Sequence, residues 1–410
     1  PQTIVCHNAS FDYAMIHNGY YHHLITPNIY HFRTDGNNIL CTKELARAIT
    51  GFSKNKDFVI AKNSFGHPSF VLGDLCRANG INIENAHTSE GDTKAMIKIF
   101  ELLRKSNIDI FKQTLFCSKK INAAKFINQN PIFYAALGTH ENFRVRPLTA
   151  LAMNHDEVIC ADVISEEFED VSLLTDSYFN SLLGSDISLH QPILRLRLNK
   201  GICLMGEGYQ DMCEETLNVD SRTLFKRASE LRRTSLLTSL AKRNLGNYVD
   251  DPKKVPVPEQ RIYSDGFPNI IEKSFINAFN SATPLEKIHI KNEYKKKLDP
   301  ENRFICLANR SIAENHPEIL SKFEKEEYFK WYNDRLFVKP TEQEHPWMTL
   351  HKALDEIERL KLDYPDQIKR LNEIREFFFR EAAFSGHSVR DLFFRDTPQK
   401  KFLGKINDKI

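Results

Sequence analysis

The chain has no apolar run long enough to span a membrane; its longest runs are short and broken by charges. It begins with Pro1 rather than Met, and no signal-peptide pattern follows, so the N-terminus reads as a cut end. Its eight cysteines are scattered singly with no Cys-x-x-Cys pair. Without a secretory signal they are expected to be reduced thiols in a cytoplasmic protein. There is no internal repeat and no low-complexity tract. Charge of neither sign dominates: the formal net charge is +2, which leaves a basic groove on one face invisible in the total. What is present describes a globular protein, with 41% hydrophobic and 27% charged residues. A length of 410 residues exceeds one ordinary core and predicts two or three domains.

Residues 1–125 read as α/β. Thr3–Cys6 and Ile39–Thr42 are β-prone runs, the second followed by a helical stretch over Lys43–Thr50. Helices are predicted over Phe70–Asn79 and Asp92–Lys105; in the latter, Ala95, Met96, Ile99, Phe100, Leu102 and Leu103 recur at helical spacing. Residues 140–205 change character. Glu157–Ala161 and Ile193–Leu198 are short strands, with a short helix over Asp176–Leu183 between them. Alternation along Pro192–Arg197 predicts a basic face from Arg195 and Arg197. From Ser221 the chain is helical and highly charged. Asn247–Gln260, rich in proline and charge, is the best linker candidate. Helices over 261–383 end with Gln367–Ala383, and Phe384–Ile410 reads as a loosely held tail.

Two local patterns carry chemistry. Asn8-Ala9-Ser10-Phe11-Asp12 directly follows the strand Thr3–Cys6. His87-Thr88-Ser89-Glu90-Gly91-Asp92 lies at the entry of the later helix. Hydrolysing a phosphodiester near neutral pH needs an activated water and stabilised negative charge, which two Mg²⁺ ions about 4 Å apart supply. Mg²⁺ takes hard oxygen ligands, so carboxylates must converge from several elements. Asp12 after a strand and Asp92 at a helix start are suitable origins. His87, in the loop before that helix, is a candidate general base, since an imidazole in general has a pKa suited to that work. Each residue also has a plainer use, because Asp at such places is most often a helix cap and a loop His most often a surface residue.

The order of these patterns resembles the second and third motifs of the DEDDh exonucleases, and Ile39–Arg47 resembles their intervening strand and helix. Within that superfamily the runs Pro68–Leu72, Ala78–Ile81 and Asn85–His87 are similar to bacterial exonuclease I. The likeness continues through Arg146–Leu148, Val158–Asp162, Leu198–Lys200 and Tyr263–Phe267, and so covers the chain up to about Ala383. The resemblance implies an α/β RNase H-like exonuclease domain over 1–125, an SH3-like β domain with following helices over 126–255, and an α-helical C-terminal domain over 256–383, leaving 384–410 as tail. It implies a 3′→5′ exonuclease on single-stranded DNA, acting in DNA repair and recombination with two Mg²⁺ ions or with Mn²⁺. Asp12 and Asp92 would be metal carboxylates and His87 the general base. Asn8, Phe11, His17, Phe32 and Arg47 fall where the family offers groups to the strand. Partners implied are single-stranded DNA and the acidic, Phe-ending tail of single-stranded DNA-binding protein; no membrane partner is implied, and the protein is expected to be a monomer.

Departures from the family pattern count as well. The first motif, Asp-x-Glu on the opening strand, would lie before Pro1, so the RNase H-like domain is expected to lack its first strands and one half of the two-metal site. Asp299-Pro300-Glu301 has the spacing but reads as a turn or helix start. Cys41 stands where the superfamily often has Asp before Thr, and Val71 where relatives carry a basic residue. The competing expectation is therefore a catalytically dead remnant that binds single-stranded DNA or protein.

Overall fold

In a computed structural model of the chain, the described residues are 2–25, 38–54, 57–83, 88–168, 175–185, 191–206, 219–246, 257–262, 265–266, 268–299, 301–337 and 348–384. They fall into two compact units, Pro1–Gly266 and Phe267–Ile410. Of the expected linker Asn247–Gln260, residues 247–256 lie outside the described residues and Pro258–Gln260 form a short 3-10 turn; of the expected tail Phe384–Ile410, residues 385–410 lie outside them.

The first unit opens with β1 (Thr3–Cys6) and β2 (Asn38–Cys41), paired in parallel with Thr3 opposite Asn38 and Cys6 opposite Cys41. Parallel neighbours need a crossover, and α1 (Ala9–His22) lies in it. Helix α2 (Thr42–Phe52) follows β2 without a loop and buries Leu45, Ala46, Ile49 and Phe52. Next come α3 (Leu72–Ala78), α4 (Ser89–Ser106), α5 (Ile108–Cys117) and α6 (Lys120–Gln129). Helix α3 is shorter than its sequence predicts, because Val71 is extended and Phe70 turns its carbonyl to another segment. Helix α4 starts earlier than predicted. Thr88 caps it by accepting from Gly91 N–H at 3.1 Å, which leaves Asp92 inside the first turn.

A six-stranded sheet follows, formed by β3 (Phe133–Leu137), β4 (Arg144–Met153), β5 (Glu157–Asp162), β6 (Leu183–Ser185), β7 (Ile193–Arg197) and β8 (Leu204–Met205). Its order is β6-β7-β5-β4-β3-β8; only β6 and β7 pair in parallel. Strand β3 is buried along its whole length because it serves two cores. Tyr134 and Ala136 join the cluster of Leu40, Leu45, Ile49, Ile99 and Leu103. Phe133, Ala135 and Leu137 face Ile127, Leu148, Val158 and Leu196. Alternate residues of one strand point to opposite faces, so five successive apolar residues satisfy both. Close approach of α2 to this sheet requires Gly51, where a Cβ would lie 2.7 Å from Val145 Cγ2 and 2.9 Å from Ala136 Cβ.

Helices α7 (Asp176–Leu182), α8 (Ser221–Arg233) and α9 (Ser235–Asn244) complete the unit. Leu231, Leu237, Leu240 and Ala241 pack with Leu151, Ile159 and Phe179. The predicted basic face of β7 is only half realised. Arg195 is half-buried and paired with Glu157 at 2.9 Å, and its second Nη donates to Asn244 O at 2.9 Å. Glu157 also accepts from Gly246 N–H at 2.7 Å. A buried charge without such a partner would be prohibitively costly, so the pair exists to satisfy itself and to hold the end of α9.

The second unit is helical in its described residues: α10 (Ile270–Ser281), α11 (Pro284–Tyr294), α12 (Arg303–Asn315), α13 (Lys322–Leu336), α14 (Leu350–Asp363) and α15 (Ile368–Phe384). Capping boxes start three of them, built by Asn269 with Glu272, Thr283 with Glu286, and Ser321 with Glu324. Its interior includes Phe275, Phe279, Phe304 and Ile312. The Asp299–Glu301 spacing belongs to a turn, as expected, with Asp299 Oδ1 accepting from Glu301 N–H at 2.7 Å. No described helix is long and apolar enough to cross a membrane.

Candidate active site

Strand β1 delivers its last residue to a tight turn. Asn8 takes the left-handed conformation, φ 60° and ψ 51°, which asparagine tolerates better than most residues. That turn allows α1 to begin at Ala9 and places Asp12 in its first turn, where a carboxylate is favoured by the helix dipole. The Asn8 side chain is exposed and accepts from Lys43 Nζ at 3.4 Å. Phe11, 63% exposed, stands beside Asp12.

Asp12 is half-buried, and among the described residues its enclosed Oδ2 has no hydrogen-bond partner. Burial accordingly holds its pKa above the ordinary carboxylate value. An orphaned, desolvated carboxylate oxygen fits a hard divalent cation such as Mg²⁺, which supplies the missing charge and bond together. Thiols nearby do not compete for that role. Burial pushes Cys6 up to about 11, with the Asp12 charge adding to the effect, and Cys41 is also raised chiefly by burial.

The turn is held from behind by His7, which sequence reasoning passed over. Its Nε2 lies 3.1 Å from Phe70 O and its Nδ1 2.8 Å from Thr42 Oγ1. A carbonyl only accepts, so Nε2 carries the proton in the neutral ring, and the single Thr42 hydroxyl hydrogen is shared between Nδ1 and the Cys6 carbonyl. Burial pushes the His7 pKa down to about 4, partly offset by the Phe70 carbonyl. Thr42 Oγ1 also lies 3.2 Å from Cys6 O, so β1, α2 and the segment before α3 meet at one imidazole. The only advance signal was that His7 abuts the Asn8–Asp12 pattern.

The other expected residues are distributed unevenly. Asp92 is exposed in the first turn of α4. His17 is buried at 5% exposure and meets the Tyr13 ring edge-on at 5.2 Å. Arg47 is buried too, bonded to Glu44 at 2.6 Å with its guanidinium 5.7 Å from the Phe70 ring centre. Both sit inside the fold rather than on its surface. His87 and Phe32 lie outside the described residues. Among the described residues, no three His, Cys, Asp or Glu side chains gather closely enough to hold a metal.

No family model matches the chain. It is 24% identical over 343 residues to exodeoxyribonuclease I of Buchnera aphidicola subsp. Schizaphis graminum, covering 78% of this chain and 65% of that protein. It is 26% identical over 200 residues to exodeoxyribonuclease I of Buchnera aphidicola subsp. Acyrthosiphon pisum, covering 47% of this chain and 48% of that one. The chain thus spans between about half and two thirds of the curated relatives it matches. Among solved structures, E. coli exonuclease I with a dA16 oligonucleotide aligns at TM-score 0.71 and 19% identity, over 92% of this chain and 81% of that chain. The fold is exonuclease I-like. The zinc-bound form of the E. coli exonuclease I–single-stranded DNA complex aligns at TM-score 0.73 and 17% identity, over 94% and 81%. An exonuclease I/SSB-Ct complex aligns at 0.71 and 17%, over 93% and 80%. At such identities the exonuclease I likeness establishes the fold, a mixed sheet with helices over most of the chain.

The site makes two stability predictions. The His7 ring is neutral in the fold and titrates near its ordinary 6.5 when unfolded, so the unfolded chain binds the extra proton first. Its contribution is full above pH 6.5 and is lost as pH falls from there toward about 4. Urea midpoints should fall as pH is lowered across that window, and His7→Ala should flatten that dependence while lowering stability at pH 7.5. Asp12 has the opposite sign. Its raised pKa means that the charged form opposes folding above the ordinary carboxylate range. Asp12→Asn should therefore raise Tm in metal-free buffer at pH 7.5, and a lower Tm would contradict the desolvation reading.

Proposed function

We propose that this chain carries most of a metal-dependent 3′→5′ exonuclease that releases 5′-mononucleotides from single-stranded DNA. The observation that carries the reading is Asp12: a strand, a left-handed turn and a helix present a buried carboxylate oxygen that no hydrogen bond among the described residues satisfies. The likeness to exonuclease I supports the same assignment. In the proposed organisation an RNase H-like region over 1–125 bears the chemistry, an SH3-like region over 126–255 follows, and a helical region over 256–383 completes the chain.

Asp12 and Asp92 would hold the metal, two Mg²⁺ ions in the full site, each carboxylate offering hard oxygen donors from a helix's first turn. When bound, the metal activates water and neutralises charge developing on the phosphate. His87 would take the proton from the attacking water, a task suited to an imidazole. Asn8 and Phe11, both exposed beside Asp12, would contact the strand's terminal nucleotide. His7 contributes by fixing the turn that aims Asp12, which matters because small misplacements of a reacting geometry are costly. The protein would act as a cytoplasmic monomer in repair and recombination, removing 3′ overhangs.

One depression on the first unit suits an acidic, Phe-ending tail such as that of single-stranded DNA-binding protein. Pro131, Phe225, Ser229, Arg232 and Arg233 line it, and Phe225 is 58% exposed. The ring offers an apolar floor and the guanidiniums bind carboxylates. An acidic peptide ending in Phe should bind with an affinity that Arg232→Glu lowers at least tenfold. Unchanged binding by that variant would place the tail elsewhere.

The exonuclease reading is tested on a 5′-labelled single-stranded oligonucleotide with Mg²⁺. The chain is compared with a version extended upstream to include an Asp-x-Glu motif, and with Asp92→Ala in each background. The expected outcome is 3′ shortening by the extended protein and its loss in Asp92→Ala. Binding of single strands by both forms with cleavage by neither would establish the catalytically dead remnant instead.

A further inference from the structure

The hairpin around Asn63 belongs to none of the assignments above. Its arms meet at a bridge between Lys62 and Pro68, and Ser69 N–H donates to Ala61 O at 2.8 Å. Asn63 builds the tip: its carbonyl accepts from Gly66 N–H and its own N–H donates to His67 O, both at 2.9 Å. Its Oδ1 accepts from the N–H groups of Phe65 and His67, each at 3.0 Å. Gly66 takes a φ of 84°, which a side chain would resist. The base is pinned to α3. Asn79 donates to Val59 O and accepts from Val59 N–H, both at 2.9 Å, and Ser69 Oγ donates to Asp74 at 2.6 Å.

A tip bonded this completely has no slack with which to fold an apolar side chain back onto the protein. Phe65 stands on it 81% exposed. Lys62, one residue before the turn, is also exposed. The returning arm runs directly into the candidate site, since Phe70 O accepts from His7, the neighbour of Asn8. Five residues separate Phe65 from Phe70, a reach of at most about 18 Å. An exposed aromatic ring on a hairpin that also carries an exposed cation, within a few nucleotides of the reacting end, suits holding a single strand by stacking on its bases without reading sequence.

We propose that Phe65 is a stacking platform for one base of the single strand, a few nucleotides from the bond to be cut. It rests on the single-strand reading of the site. An apolar protein partner would use the exposed ring differently, and the test separates the two.

Binding of labelled oligothymidylates is measured with the full chain, with Ca²⁺ in place of Mg²⁺ so that the strand is not consumed. Phe65→Ala should weaken binding by roughly 5- to 150-fold, the range for losing one stacked base. Phe65→Trp should retain affinity and show quenching on binding that the wild type lacks. An abasic site moved along the strand should weaken the wild type at one position and leave Phe65→Ala unaffected there. Equal binding by wild type and Phe65→Ala, with no quenching in Phe65→Trp, overturns the proposal and leaves a protein partner as the use of the ring. If the wild type itself binds no single strand, the nuclease reading falls and the stacking role falls with it.

Discussion

Strand β3 holds the first unit together because it has no solvent face. Phe133, Ala135 and Leu137 belong to one core and Tyr134 and Ala136 to the other. The helices that follow β2 therefore rest on the same strand as the antiparallel sheet. At 25 cal/mol per Å² or so, burial on both sides makes such a strand worth far more than an edge strand of equal length. Gly51 is the counterpart on the helix side, since the contact with β3 and β4 tolerates no side chain there. The β1–β2 pair that carries Asp12 is attached to this body through α2, which leaves β2 without a loop. Placement of the candidate site is thus inherited from a strand more than a hundred residues away in sequence.

Against that stable body, the site itself is strained electrostatically. Asp12 keeps a carboxylate oxygen out of water with no partner, and His7 keeps an imidazole neutral well below its ordinary range. Both cost folding energy, in opposite pH directions, and both make sense if the turn between β1 and α1 is built for a cation and a phosphate rather than for stability.

Much of this was legible in advance where one residue type has one use. Helical spacing marked α4, and the Asn8–Asp12 pattern after a strand marked the turn. Boundaries slipped for two reasons: Thr88 capped α4 locally and started it earlier, while His7, from elsewhere in the chain, drew Phe70 out of α3. His7 itself was invisible because its partners lie 35 and 63 residues away. Charge type was readable but direction was not. Arg195 and Arg47 look alike on paper to any surface arginine, yet each is folded inward onto a glutamate. β3 offered no alternation to read, because both of its faces are apolar surroundings.

The capping boxes of the second unit carry a kinetic consequence. Asn269, Thr283 and Ser321 each start a helix with a partner only three residues onward, so those helices need no distant contact to know where to begin. The sheet of the first unit is the reverse case. Pairing β3 with β8 brings Tyr134 beside Met205 across a length of chain that contains β4 to β7. Closing long loops slows folding, whereas local contacts speed it. Because synthesis proceeds from the N-terminus, the slow unit emerges first and has the whole translation time of the fast one in which to assemble.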